Sequence, residues 1–293
     1  MKKKMRQFFR PSNIILSLIM LLIALTMLVP ILNLLAKSLS DPQAVSGMKG
    51  YQIWPSGLNL INYEIIFNNQ VVWTALKNSV FITVVGTGVN ILMTTSLAYA
   101  LTRPNLVGKK AIMIFLIIMM IFEPGIIQEY FVVKDLHLLD SLWSMVLYRS
   151  VSVYNVILLM RFFQETPEVL LEAAKIDGAG HMRILFSIFL PLNKVPIMTV
   201  GMFYAVYRWN EFFHSSIFLS SRSNTVLQVF LRQFVVEGDT TALSALGSID
   251  LSAISMSALR AATIIVTIVP ILVLYPFILK YYTSGVLTGG VKE

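Results

Sequence analysis

Between Ile14 and Ala36 the chain carries 23 consecutive residues, IILSLIMLLIALTMLVPILNLLA, without one charged side chain. As a helix that run is about 34 Å long, enough to cross a hydrocarbon layer of about 30 Å. Inside such a layer every backbone N–H and C=O must be satisfied within the protein, which leaves only helices and closed barrels. The apolar residues here are continuous and do not alternate, so helices are expected. Further apolar stretches follow at about Val72–Leu101, Ala111–Val133, Leu142–Phe163, Val195–Phe213 and Ala258–Tyr281. The third of the six is broken or bent at Pro124-Gly125. Composition closes off the soluble alternative. The chain is 56% hydrophobic and 13% charged, against about 25% charged in soluble domains, too little charge for a polar skin. The expectation is an all-α integral membrane protein of six transmembrane helices.

The segments divide as follows: a basic N-terminus over 1–13, a first helix over 14–36, an outer loop over 37–71, a core over 72–281 and a tail over 282–293. The first apolar run is too long for a signal peptide, and no small-residue cleavage site follows it, so it reads as a retained helix. Short interfacial helices are expected near Trp54 and Tyr63. Thirteen of the 23 Lys and Arg residues fall on the N-terminus, the 102–110 turn, the 161–194 region and the tail. That bias predicts both termini in the cytoplasm, and it explains the net charge of +8 without nucleic acid.

Several chemistries find no footing. The chain has no cysteine, hence no disulfide. His137, His181 and His214 are widely spaced with no helical ligand partner, so they read as isolated interfacial histidines and no metal site is expected. No catalytic pair stands at a convincing spacing near one interface. There is no GxxxxGK[ST] phosphate loop, and no internal repeat of the kind many ion-coupled carriers show.

One polar segment interrupts the apolar pattern. Thr166 is placed to cap a helix beginning at Pro167, with Glu168 and Glu172 near its positive end. Asp177-Gly178 would stop that helix, because glycine tolerates a left-handed cap. A second short helix is expected over about Ala179–Phe189, broken by LPLNKVP before the fifth span. Ala173, Ala174, Gly178 and Ala179 are small enough to let another surface approach. On physics alone, an amphipathic helix resting on lipid fits as well.

The run Glu172-Ala173-Ala174, then Gly178, then Ile188-x-Leu190-Pro191 resembles the EAA signature of permease subunits of bacterial ATP-binding-cassette importers. LLDSLWSMVL, RFFQETPEVLLEAAKIDGAG, FYAVYRWNEFF and the tail SGVLTGGVKE are similar to the carbohydrate-uptake group, typified by the smaller permease of the maltose importer. Within that group the chain looks like permeases for oligosaccharides and polysaccharide fragments, including the smaller permease of an alginate importer. The resemblance covers roughly residues 70–293. It implies a type I importer permease fold in the bacterial inner membrane, with the 166–191 loop as a cytoplasmic coupling helix. It further implies that Glu172, Ala173, Ala174, Asp177, Gly178 and Ala179 meet an ATPase subunit, and that Gly289, Gly290 and Val291 of the tail reach the ATPase dimer. ATP and Mg would sit on those partners, and this chain would bind no cofactor. The remaining partners implied are a second homologous permease and an extracytoplasmic sugar-binding protein, which the 214–257 segment would contact.

Polar groups inside spans are costly and mark candidate pathways. Glu123, Arg149, Tyr204, Tyr207, Arg208, Trp209 and Asn210 are the candidates for a substrate path, with Asn90 and Glu211 beside them. Aromatic faces and planar polar groups suit sugars. The bland alternatives are belt aromatics and an i, i+3 pair between Arg208 and Glu211. Two other readings stay open: an ABC permease for a non-sugar solute, and an ion-coupled carrier using Glu123.

Overall fold

The computed structural model describes residues 11–238 and 255–290. Residues 1–10 of the basic N-terminus, residues 239–254 of the 214–257 segment and Val291 lie outside the described residues. The regular elements are helical: α1 (Pro11–Ser38), α2 (Ile61–Asn68), α3 (Gln70–Thr102), α4 (Lys109–Ile121), α5 (Ile126–Asp135), α6 (Leu142–Leu147), α7 (Val153–Gln164), α8 (Glu168–Ile176), α9 (His181–Ile184), α10 (Lys194–Asn210), α11 (Phe213–Phe218), α12 (Leu227–Arg232) and α13 (Met256–Gly290). An isolated bridge between Ser40 and Leu58 is the extended pairing among the described residues. By length and composition, Asn13–Ser38, Gln70–Thr102 and Met256–Val273 can each cross a membrane. Two bent pairs pass the same test together, α4 with α5 at 120° and His181–Leu192 with α10 at 87°, and α7 is a shorter apolar helix.

The described residues form two compact units. The first comprises those up to Val72 together with Leu231–Val269. In it, α1 leads into a polar loop fastened by side chains. Asn33 donates to the carbonyls of Lys49 and Gln52 at 3.0 and 2.7 Å, and Ser38 meets the Tyr63 hydroxyl at 2.7 Å. A helix forms around Tyr63 as expected, and none at Trp54.

The second unit comprises Trp73–Phe230 and the described residues from Pro270. One of its apolar clusters joins α3, α7, α8 and α10 through Ala98, Leu159, Phe163, Leu171, Phe189 and Val200. Phe189 packs edge-on against Phe163 at 5.3 Å and Tyr99 at 5.0 Å, contacts each worth about 0.5–1.5 kcal/mol beyond burial.

Where one fourth span over Leu142–Phe163 is expected, the structure has two helices, α6 and α7, separated by residues 148–152. The fifth helix stops at Asn210, and Glu211 turns to extended backbone. The tail expected from residue 282 continues as helix to Gly290. The third span breaks where Pro124-Gly125 cannot continue a helix.

Candidate functional site

Two polar regions of the second unit collect the candidate residues. The first is the 166–191 segment. Helix α8 begins after Pro167, which makes no side-chain cap. Thr166 is 8% exposed, and its hydroxyl instead accepts from Asn193 Nδ2 at 3.1 Å. A buried hydroxyl must find a partner, and Asn193 supplies it in place of the expected cap. Asn193 also donates to the Phe189 carbonyl at 3.0 Å.

At its other end α8 closes in a Schellman turn. Ala179 N–H donates to Ala174 O at 2.9 Å and Gly178 N–H to Lys175 O at 3.0 Å. Gly178 is left-handed with φ 76°, the conformation glycine adopts without a Cβ penalty. Leu171 and Ala174 face the core. Ala174 is therefore a packing residue, because α8 needs one apolar stripe inward, and it is not open to a partner. Glu172, Ala173, Asp177 and Gly178 are exposed, Ala179 is half-buried, and Val169 and Ile176 stand 73% and 86% exposed. Met182, across the turn, is exposed as well.

The second limb departs from a plain helix. After α9 the backbone widens into a π turn over Leu185–Phe189, with Leu190 N–H donating to Leu185 O. Pro191 has no N–H to give Ser187, so regular α bonding cannot run through this turn. Helix resumes at Leu190–Leu192, and the break falls at Asn193. His181 Nδ1 meets the Tyr99 hydroxyl at 3.1 Å, and the Arg103 guanidinium lies over the Tyr99 and Phe189 rings at 4.6 and 4.9 Å. A cavity of about 360 Å³ opens beside them, lined by Asn105, Leu106 and Leu185 among others.

The second region is a polar layer. Measured along the helices at 1.5 Å per residue from the Thr102–Lys109 end, Asn90 in α3 stands at about 18 Å and the end of α4 at about 20 Å. The start of α7, counted back from Gln164, stands at about 18 Å, and Arg208, counted up from Lys194, at about 21 Å. The breaks of the third and fourth apolar stretches therefore lie at similar distances along their helices, about 18–20 Å.

Buried side chains hold the fourth-span break open. Arg208, 3% exposed, donates to the Asn90 amide oxygen at 3.1 Å, to Val146 O at 3.1 Å and to Met145 O. These carbonyls end α6, where a cation is favoured. Asn90 Nδ2 donates to the carbonyls of Arg149 and Ser150 at 3.1 and 2.7 Å. Ser152 N–H donates to the Tyr204 hydroxyl at 2.9 Å, which also meets Thr94 at 2.7 Å. Gly86 leaves room for Arg208: a Cβ there would come within 3.1 Å of its Nε. Tyr204 and Arg208 are thus occupied by the fold. Trp209 is 5% exposed, and Asn210 bonds its own helix at Val206 O. The Tyr207 ring lies beside Arg208, 5.8 Å from its guanidinium.

What the break presents is Tyr148 and Arg149, the latter left-handed at φ 47°. Glu129 accepts from the Tyr148 hydroxyl at 2.8 Å and lies 3.3 Å from His214 Nε2 and 3.5 Å from Arg149. Arg149 also faces Glu123 at 4.0 Å. His214 Nδ1 meets Glu211 at 3.1 Å, so Glu211 bonds His214, the i, i+3 pair with Arg208 having been the alternative reading, and His214 is not isolated. Glu129, Tyr148 and His214 are absent from the sequence-derived set. An ionisable Glu129 beside an apolar run is the signal that points to them. Among the described residues no three His, Cys, Asp or Glu side chains could hold a metal ion.

Comparison with known proteins places this arrangement. The polygalacturonan/rhamnogalacturonan transport system permease protein YtcP of Bacillus subtilis is 36% identical over 278 residues, 93% of this chain and 95% of that protein. Protein LplC of Bacillus subtilis is 35% identical, covering 92% of this chain and 90% of that protein. The crystal structure of a bacterial ABC transporter involved in import of the acidic polysaccharide alginate contains a chain that superposes with a TM-score of 0.86. That chain is 27% identical, with 94% of this chain and 99% of that one covered. Residues 99–288, which contain α8, both helix breaks and Arg208, match one family model, and the chain belongs to that family, the inner membrane components of binding-protein-dependent transport systems.

Proposed function

We propose that this chain is the permease subunit of an ATP-driven importer that carries acidic polysaccharide fragments across the bacterial inner membrane. The cargo class is supported by the relatives, one named for polygalacturonan and rhamnogalacturonan and one for alginate. Each of these polymers is built with uronic acids.

The single observation that carries the mechanism is the surface of α8. Glu172, Ala173 and Ile176 are exposed around a turn that Gly178 closes, while Leu171 and Ala174 root the helix in the core. A small, exposed, apolar face with one carboxylate, rigidly capped, suits a groove on a cytoplasmic ATPase subunit. ATP and Mg sit on that partner, and this chain does no nucleotide chemistry. The Lys and Arg bias of the sequence supports both termini in the cytoplasm, where Gly289 and Gly290, in the last turn of α13, would approach the ATPase dimer. A second homologous permease completes the path, and an extracytoplasmic binding protein delivers cargo. Glu123 and Arg149, both exposed, are the substrate-path candidates that the fold leaves open.

The test is Glu172→Lys in the assembled complex in proteoliposomes. The side chain is exposed, so insertion and co-purification with the second permease should be unchanged, while ATP-driven uptake falls at least about tenfold. Uptake at the wild-type rate overturns the coupling role of α8. Uptake that continues without ATP in either form assigns the chain to ion-coupled carriers.

A further inference from the structure

We propose that Arg149 is the specificity-determining cation of the path, and that it holds a cargo carboxylate in exchange for its present contacts with Glu129 and Glu123. The proposal rests on the acidic-cargo reading above and adds to it a residue and a gate.

Position is the first argument. Both helix breaks interrupt apolar stretches, at about 18–20 Å along their helices, short of the ~30 Å a hydrocarbon core requires. Irregular backbone within such a core is tolerated only inside protein or along a water-filled path. The Arg149 and Glu123 side chains are 40% and 74% exposed, so lipid cannot be what they face.

Geometry is the second. Arg149 occupies a left-handed backbone conformation at φ 47°, costly for a residue with a long side chain and common where function requires it. The conformation is held from behind, by Asn90 on the Arg149 and Ser150 carbonyls and Arg208 on those of Met145 and Val146. Two buried polar side chains are thereby devoted to presenting one exposed guanidinium.

Coordination is the third. A charge-assisted N–H···O bond is about 2.7–2.9 Å long. Arg149 reaches Glu129 at 3.5 Å and Glu123 at 4.0 Å. Glu129 cannot close the gap freely, because Tyr148 holds it at 2.8 Å and His214 stands 3.3 Å away, itself tied to Glu211. The Arg149 fork, with five N–H donors, is therefore under-used. A mobile uronate carboxylate can meet it two bonds at a time, and the anchored Glu129 restores the resting pair when cargo leaves.

The test uses the complete importer with its binding protein, comparing an oligogalacturonide with its methyl-esterified form. Wild type should transport the acid faster than the ester. Arg149→Gln should cut acid transport about tenfold or more and lower the acid-to-ester ratio with it, a readout a merely structural role would not move. Glu129→Gln keeps a partner for Tyr148 and removes the competing charge, so it should lower the KM for the acid. An unchanged acid-to-ester ratio in Arg149→Gln, or an unchanged KM in Glu129→Gln, overturns the proposal while the acidic-cargo reading stands. A wild-type importer that does not distinguish acid from ester overturns both.

Discussion

The 166–191 segment and the polar layer near the helix breaks keep their shapes by different means. At the turn that closes α8 the fixing bonds join near neighbours, Ala179 to Ala174 and Gly178 to Lys175. In the layer they come from far along the chain, with Asn90 reaching 59 and 60 residues and Arg208 reaching 62 and 63. A locally closed turn holds its form while the whole element moves. A remotely pinned break holds its form only while its helices stay in register. The first is suited to receive a push, and the second to answer a change in helix packing.

The largest test of that contrast is Arg208→Leu. It strips donors from Met145 O, Val146 O and the Asn90 amide oxygen, each worth about 1 kcal/mol or more when left unsatisfied. The loss should be about 3 kcal/mol, seen as a lower Tm of the purified protein with faster amide exchange across 145–152. Exchange across 174–179 should not change. Equal loosening at both places would break the contrast.

Gly178→Ala is the smaller, local counterpart. A Cβ at φ 76° costs about 1 kcal/mol, and exchange should rise at Gly178 and Ala179 alone. The smallest effect is expected at Asp140. Its carboxylate accepts from Ser220 N–H, Ser221 N–H and the Ser221 hydroxyl at 2.9–3.0 Å. The Ser221 backbone bond first, then the side-chain bonds, hold its pKa below the ordinary carboxylate value. Because the folded value is the lower one, the contribution is present above pH ~4 and fades as pH falls through the folded value. Protection of the Ser220 and Ser221 amides should follow that course in wild type and be flat in Asp140→Asn.

The contrast also decides what could be read in advance. The EAA run, the Gly178 stop and the Pro124-Gly125 break were legible because each is a local backbone signal. The break at 148–152 was not, because Tyr-Arg-Ser-Val-Ser contains neither proline nor glycine. Its nearby signs are Ser141 and Ser152, which cap α6 and α7. Its real causes are Asn90, Tyr204 and Arg208, and one sequence does not state which carbonyls they will find. Tyr204 and Arg208 were correctly singled out as unusual for a membrane span, but their polarity serves the backbone. The inward packing of Ala174 was not legible, because a small residue on a short helix does not announce which way it faces.

One consequence lies in how α7 and α10 are joined. Near one end of the pair the Thr166–Asn193 bond closes the neck of the 166–191 segment. Toward the other end the Ser152–Tyr204 bond joins the same two helices again, about 15–18 Å away. Two rods pinned near both ends form a closed frame: it can rotate as a whole, but its sides cannot slide past each other. Under the coupling role proposed for α8, a push at Ile176 would reach the break that carries Arg149 through this frame.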